Sequence, residues 1–296
     1  MDELIEVDDL PSPPARPADA HKGTFGTVIV VGGNSTMIGA AALCAGAALR
    51  CGAGLVKIAA PRDVVPFALS IEPCATGICL DLRADPATCL DLLAEADPQH
   101  RAILAVGPGL GRSDAAGELV DLLVDGPRPI VLDADGLNLL ARAESRIPQR
   151  RPEVDADRPL VITPHPGEYA RLAERLGIDG NPTDPAQRPA AAAALAGACG
   201  AVVVLKGKGS VVSDGRRYRV NTTGNPALAT AGSGDVLTGA IAALMAQGMS
   251  AWDAAVLGAH LHGLAADLWA DRYGQVGLTA RVLIDQLPEA FARHAG

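Results

Sequence analysis

The residues best suited by type and spacing to do chemistry lie in one stretch, NTTGNPALATAGSGDVLTGAIAAL, over 221–244. Gly232-Ser233-Gly234 lets the backbone come close to a ligand. A helix starting there would aim its unpaired N–H groups and positive dipole end at the same point, which makes an anion site. Asp235 is the first carboxylate of that helix. It reads either as a plain favourable charge in a first turn or as a base, accepting the proton of a hydroxyl whose oxygen attacks phosphorus beside the anion hole. Other polar or glycine-rich motifs punctuate the chain: Gly32-Gly33-Asn34, GPGLG (107–111), DADG (133–136), TPHPGE (163–168) and KGKGS (206–210). Lys206 and Lys208, set between glycines, suit phosphate capture or serve as solvated charges. His165 stands between two prolines, a poor place for a core histidine and a good one for ligand contact.

Each of these motifs follows a short apolar run rich in Val, Ile and Leu: 27–31, 55–59, 102–106, 129–132, 160–163 and 201–205. Such runs are too short for helices, and their unbroken apolarity means that both faces are buried, as in a parallel sheet covered on two sides. Helical segments fit between them at 37–51, 114–124 (with Ser113 as N-cap) and 189–198. Segments 210–213 and 216–220 flank Asp214-Gly215, a hairpin turn, so the sheet is expected to end with antiparallel strands. Two long helices, 235–247 and 251–270, follow. In a parallel sheet the carboxyl ends share one edge, so the motifs converge on one crevice.

Composition limits what that crevice meets. A net charge of -9 argues against a general nucleic-acid binder. The absence of an ~18-residue apolar run argues against a membrane span. Six cysteines without a CxxC pair and an acidic start, MDELIEVDDL, read as a cytoplasmic protein with free thiols. Aromatic residues make up only 3% of the chain, so close packing through Ala and Gly is expected. The Pro- and Asp-rich segment 1–20 is read as a mobile arm ahead of a single domain, 21–296, with surface loops at 142–159 and 179–189.

Taken together, HKGTFGTVIVVGG (21–33), VGPGLG, LDADGLNLL, TPHPGEYARL, VVLKGKGS and NPALATAGSGDVLTG closely resemble the ADP- or ATP-dependent NAD(P)H-hydrate dehydratases, over about residues 21–290 and in the family's order. The resemblance implies a ribokinase-like three-layer α/β sandwich with a mostly parallel sheet. It also implies repair of hydrated NADH or NADPH, specifically the S-epimer. ADP, with Mg²⁺, would phosphorylate the C6 hydroxyl, and loss of phosphate would regenerate NAD(P)H and leave AMP.

Position by position, Asp235 matches the base and a substrate contact. Ala40, Gly109 and His165 match contacts to the hydrated dinucleotide. Lys206, Gly207, Lys208, Gly209, Ser210 and Gly234 match nucleotide contacts. Ala40 also reads as a helix residue packed on the sheet. Ser210 and Ser233 stand where the family often has Thr. Asp133 and Asp135 read either as ligands of a Mg²⁺ or as caps of the Gly136 turn, and the metal ligands stay unassigned. Asn225 is a candidate donor to the transferred phosphoryl group, and Lys22 a further candidate phosphate contact. A separate epimerase is implied. A homo-oligomer, with a tetramer as one form, would give Trp252 and Trp269 a partner, and a core role is open as well. The competing reading is a small-molecule kinase of the same fold, acting on a sugar, vitamin or pyrimidine alcohol.

Overall fold

The computed structural model describes residues 4–82, 85–142, 144–148 and 157–295. Ten strands form one sheet: β1 (Ile5–Glu6), β2 (Thr27–Val31), β3 (Leu55–Pro61), β4 (Thr76–Leu80), β5 (Ile103–Val106), β6 (Ile130–Leu132), β7 (Leu160–Ile162), β8 (Val202–Leu205), β9 (Val211–Ser213) and β10 (Arg217–Val220). Across the sheet the order is β1-β10-β9-β8-β7-β6-β5-β2-β3-β4. Every pairing from β8 to β4 is parallel, and β9 runs antiparallel to both of its neighbours. The helices are α1 (Ile38–Arg50), α2 (Val65–Ile71), α3 (Pro86–Ala96), α4 (Asp114–Asp125), α5 (Asp135–Leu140), α6 (Pro166–Leu176), α7 (Arg188–Cys199), α8 (Ser233–Ala246), α9 (Ala251–Tyr273) and α10 (Ala280–Ala295).

The apolar runs are strands because side chains alternate between two covered faces. Val28, Val30, Ile103, Ala105, Val131 and Val161 pack with α1, α2, α8, α9 and α10. Ile29, Val31, Leu104, Val106, Leu132 and Ile162 pack with α3 to α7. The result is the expected three-layer sandwich. Small residues set its spacing: a side chain at Gly239 would lie 2.1 Å from the Cys44 carbonyl oxygen, so α8 rests directly on α1. The two tryptophans belong to this core, Trp252 at 7% and Trp269 at 8% exposure.

The arm expectation is corrected. Within 4–20, β1 adds in parallel to β10, and Val7 and Leu10 pack on the core. The Arg16 guanidinium stacks 3.7 Å from the Phe25 ring centre, and Pro11 O accepts from His294 Nε2 at 3.1 Å. Proline prevents this stretch from forming a helix of its own, but it does not stop a short strand from filling the open edge of β10. Residues 1–3 lie outside the described residues, as do 143 and 149–156 of the expected loop 142–159. The hairpin turn spans Asp214–Arg216, one residue more than expected, with the Asp214 carboxylate accepting from Arg216 N and Arg217 N, both at 3.0 Å.

Candidate active site

The backbone itself draws the motifs together at the carboxyl edge. Gly33 N donates to Pro108 O at 2.8 Å, Gly107 N to Val31 O at 3.0 Å and Asp133 N to Val106 O at 3.0 Å. Thr163 N donates to Leu132 O at 3.2 Å and Lys206 N to Pro164 O at 2.9 Å. All five motifs are therefore stitched along one line, on both sides of the point between β2 and β5 where the strand order reverses, as ligand crevices of open α/β sheets require.

Toward one end of the line, Ala40 and Gly109 meet. Gly109 has φ +62, and a side chain there would lie 2.7 Å from Met37 O and 2.9 Å from the Ala40 Cβ. Asn34 ties the two loops, donating from Nδ2 to Gly109 O at 2.9 Å and accepting at Oδ1 from Thr36 N at 2.8 Å. Ala134, at φ +49, is an uncommon conformation for a residue with a side chain. It separates Asp133 from Asp135. Asp135 accepts from Gly111 N at 2.9 Å and pairs with Arg112 Nε at 2.8 Å, which fixes the end of the GPGLG loop. Asp133 turns the other way and meets Lys206 Nζ at 2.7 Å and the Thr238 hydroxyl at 2.7 Å.

At this second end lies the charged centre. Gly232, at φ +86, starts α8, and Asp235 stands in its first turn. A side chain at Gly234 would lie 3.3 Å from Lys206 Nζ and 3.5 Å from Asp133 Oδ2, so the glycine leaves the ion pair uncovered. Among the described residues the Asp235 carboxylate makes no hydrogen bond or ion pair. Burial pushes it up to about 7, with Asp133, Asp135 and Glu168 adding repulsion against the pull of Lys206. Glu168 is also pushed to about 7, by burial first, opposed by Lys206. Burial would raise Asp133 too, but the Lys206 ammonium and the hydroxyls of Thr238 and Thr163 outweigh it and hold the carboxylate ionised. Lys206 stays charged for the matching reason, with Asp133 and Glu168 outweighing its own burial.

His165 is the N-cap of α6. Its Nδ1 accepts from Gly167 N at 2.9 Å while Glu168 reaches back to His165 N at 2.9 Å, a capping box. Burial, then Lys206 and Arg171, lower its pKa, so the ring is neutral with its proton on Nε2, and the side chain stays 50% exposed. A structural role and an open outer face are therefore combined in one residue. Lys206, expected as a phosphate ligand, is in fact committed at one corner to Asp133, which leaves it two further donors. Gly207 and Lys208 are exposed in the loop beyond it, and Gly209 and Ser210 are half-buried.

Other expectations are redirected. Asn225 donates one amide hydrogen to Asp267 at 2.8 Å and accepts from Ala227 N at 2.9 Å, which fixes its side chain and leaves one amide hydrogen to donate. Lys22 lies in the 3-10 turn ahead of β2, at the sheet edge opposite the crevice. Neither Asp133 nor Asp135 caps the Gly136 turn by its side chain, and both are engaged by cations.

A family model described as NAD(P)H-hydrate dehydratase matches residues 28–289. The chain belongs to that family. It is 41% identical over 279 residues to the ADP-dependent (S)-NAD(P)H-hydrate dehydratase of Neisseria meningitidis, covering 93% of this chain and 87% of that one. It is 40% identical over 293 residues to the bifunctional NAD(P)H-hydrate repair enzyme Nnr of Thermofilum pendens, covering 97% of this chain but 53% of the relative. The chain thus spans about half the length of the bifunctional relatives it matches. The Bacillus subtilis ADP/ATP-dependent NAD(P)H-hydrate dehydratase co-crystallised with ATP/Mg²⁺ superposes with a TM-score of 0.76 at 31% identity, over 95% of this chain and 94% of that one.

Several residues of this family member escaped the sequence reading. Arg188, 5% exposed, props the KGKGS loop from behind, donating from Nη2 to Leu205 O at 2.7 Å and Gly209 O at 3.3 Å. His262, on α9, supports the turn before Asp235: burial lowers it to about 4, and the neutral ring donates from Nε2 to Ser233 O at 2.9 Å. Thr238 has a readable signal, since it lies three residues after Asp235 and so on the same helix face. Arg188 and His262 carry none, because their partners are backbone carbonyls brought close only by folding.

Proposed function

We propose that this chain is an ADP-dependent dehydratase of hydrated NADH or NADPH, acting on the S-epimer. The observation that carries the reading is Asp235, an unpaired, half-buried carboxylate at a glycine-lined helix start, in a chain of this family. ADP lies with its phosphates toward the α8 N-terminus and the loop of Lys206, Gly207, Lys208, Gly209 and Ser210, with Gly234 in contact. The hydrated dinucleotide lies along Ala40, Gly109 and His165, which brings its C6 hydroxyl to Asp235.

Asp235 takes the hydroxyl proton as the oxygen attacks the β-phosphorus; the bond to the AMP oxygen breaks and AMP leaves. The ring nitrogen then pushes electrons in as the C6–O bond breaks, phosphate departs, and a proton lost from C5 restores the double bond. Phosphorylation is needed because hydroxide leaves poorly and phosphate leaves well.

Mg²⁺, present with ATP in the Bacillus subtilis crystals, would neutralise phosphate charge. Among the described residues no group of three His, Cys, Asp or Glu side chains is placed to hold an ion; the ion would come with the nucleotide, taking phosphate oxygens and water as ligands. The partners are hydrated NAD(P)H and ADP, with an epimerase activity supplying the S-form.

The test mixes the purified chain with hydrated NADH, Mg²⁺ and ADP or ATP, and follows the reduced-nicotinamide absorbance together with released phosphate. Recovery with ADP, with equal AMP and phosphate, is the expected result. A stable phosphoester in place of free phosphate would reassign the chain as a small-molecule kinase.

A further inference from the structure

Glu168 has no part in the reaction as just described, yet it is one of the most enclosed charged groups in the crevice, its side chain 5% exposed. The glutamate of a capping box needs only its backbone hydrogen bond and can otherwise face water. This one faces inward. Its Oε2 accepts from His165 N at 2.9 Å and lies 3.9 Å from Lys206 Nζ, and its Oε1 lies 3.3 Å from His165 Nε2. On the other side of the same ammonium, Asp133 stands at 2.7 Å and passes the contact on to Thr238, one turn beyond Asp235. A continuous polar row therefore joins the start of α6 to the start of α8 through the ends of β8 and β6.

We propose that Glu168 is a positioning residue for the reaction: with Asp133 it holds the Lys206 ammonium in place, and its charge sets the field in which Asp235 takes up and returns a proton. The inference rests on Asp235 being the base. The charged groups that bear on Asp235 are Asp133, Lys206, Asp135 and Glu168. Beneath it lie the buried Cys44 thiol of α1, held neutral by burial, and the neutral His262 of α9. Lys206 is paired with Asp133, Arg112 with Asp135, and Arg171 of α6 also draws on Glu168; four carboxyls still outnumber these three cations, so ionisation of either Glu168 or Asp235 opposes ionisation of the other. A proton on Glu168 favours Asp235 as a base, and a proton taken by Asp235 is eased by the charge of Glu168.

The experiment follows the Asp235 carboxyl by ¹³C NMR in the resting protein labelled at aspartate, with Asp235→Asn to assign the signal. Glu168→Gln keeps the hydrogen bond to His165 N and removes the charge. The Asp235 midpoint should fall by about half a pH unit, roughly threefold in its ionisation constant. The acid limb of kcat/KM with hydrated NADH and ADP should move by the same amount, and Glu168→Asp, which restores the charge, should bring both back toward the parent. If Glu168→Gln does not fold, Glu168→Ala serves instead, because His165 Nδ1 still caps the helix. An unmoved Asp235 midpoint in either folded variant overturns the proposal. The NMR titration needs no turnover. A chain that titrates as expected but restores no NADH would therefore sink the proposed activity alone, and one that turns over with an unmoved midpoint would sink the coupling alone.

Discussion

Two buried charged clusters occupy opposite edges of the same sheet and are balanced in opposite ways. At the amino edge, Arg128 is 5% exposed; its Nη2 donates to Leu93 O and Asp97 O, each at 3.1 Å, and lies 3.6 Å from the Asp97 carboxylate. Its Nε donates to His100 Nδ1 at 3.3 Å. The guanidinium meets the Asp97 carboxylate and the last carbonyls of α3, which is what a structural staple between α3 and β6 requires. At the carboxyl edge, Arg112 answers Asp135, but among the described residues Lys206 is shared by Asp133, Glu168 and Asp235, with Arg171 adding a weaker pull on Glu168. Two of those carboxyls are driven to about 7 by their burial. Stability alone would not select such an imbalance, whereas proton transfer near neutral pH would.

The largest effect that tests this contrast belongs to Asp235→Asn. Turnover should fall ~10²- to 10⁴-fold while ADP still binds, as for loss of a general base. Near-normal turnover would remove Asp235 from the chemistry. The same variant should gain stability with pH. Because the folded-state pKa is raised from 3.8 to about 7, the native state is penalised progressively as pH climbs between those values. Relative to the parent, the variant's gain should be near zero at pH 3.5 and on the order of 2 kcal/mol above pH 7, less than the full shift implies because the carboxylate still reaches solvent. Urea midpoints at both pH values check the sign. Arg128→Met should do the reverse, costing about 3 kcal/mol by leaving Asp97 unanswered, with kcat of the folded protein unchanged. A loss of kcat without a loss of stability would mean that the amino edge is not merely a staple.

The sequence shows the parallel core because its signal is local: unbroken Val, Ile and Leu runs such as 27–31 and 102–106 match β2 and β5 within a residue. It shows the crevice because strand ends carry its motifs. What it hides is non-local. Strand β4, TGICL, is an edge strand with one face exposed and a glycine in it, so it lacks the buried run that marks the others. Helix α10 is polar on its outer side and contains Pro288, which disguises it. The docking of β1 depends on an edge that only β10 creates. In the site, Asp133, Lys206 and Asp235 stand in three separate motifs, and nothing in their spacing says that the first two neutralise each other while the third is left unpaired. The direction in which Ala134 sends its two aspartates is a backbone event, invisible in DADG itself.

A smaller effect sharpens the comparison from the side of the loop. Arg188→Met would remove the guanidinium that holds Leu205 O and Gly209 O. The KGKGS loop would lose its backing, so ADP affinity should fall about tenfold, worth ~1.4 kcal/mol, with kcat at saturating ADP little changed. Titration calorimetry with ADP measures it directly. Unchanged affinity would place the nucleotide away from residues 206–210.

The smallest effect expected is at Asn34, which ties the two loops carrying Ala40 and Gly109. Its Oδ1 gathers Thr36 N, the Thr36 hydroxyl and Met37 N at 2.8, 2.7 and 3.1 Å, while Nδ2 reaches Gly109 O. Asn34→Ala removes the tie but leaves Gly33 N to Pro108 O in place, so the loops would loosen without coming apart. KM for the hydrated dinucleotide should rise about threefold while the pH profile stays where Asp235 sets it, because a lost positioning bond weakens ground state and transition state alike. A shift in the acid limb from this substitution would show that the two ends of the crevice are coupled, and that the charge imbalance is not confined to the cluster around Lys206.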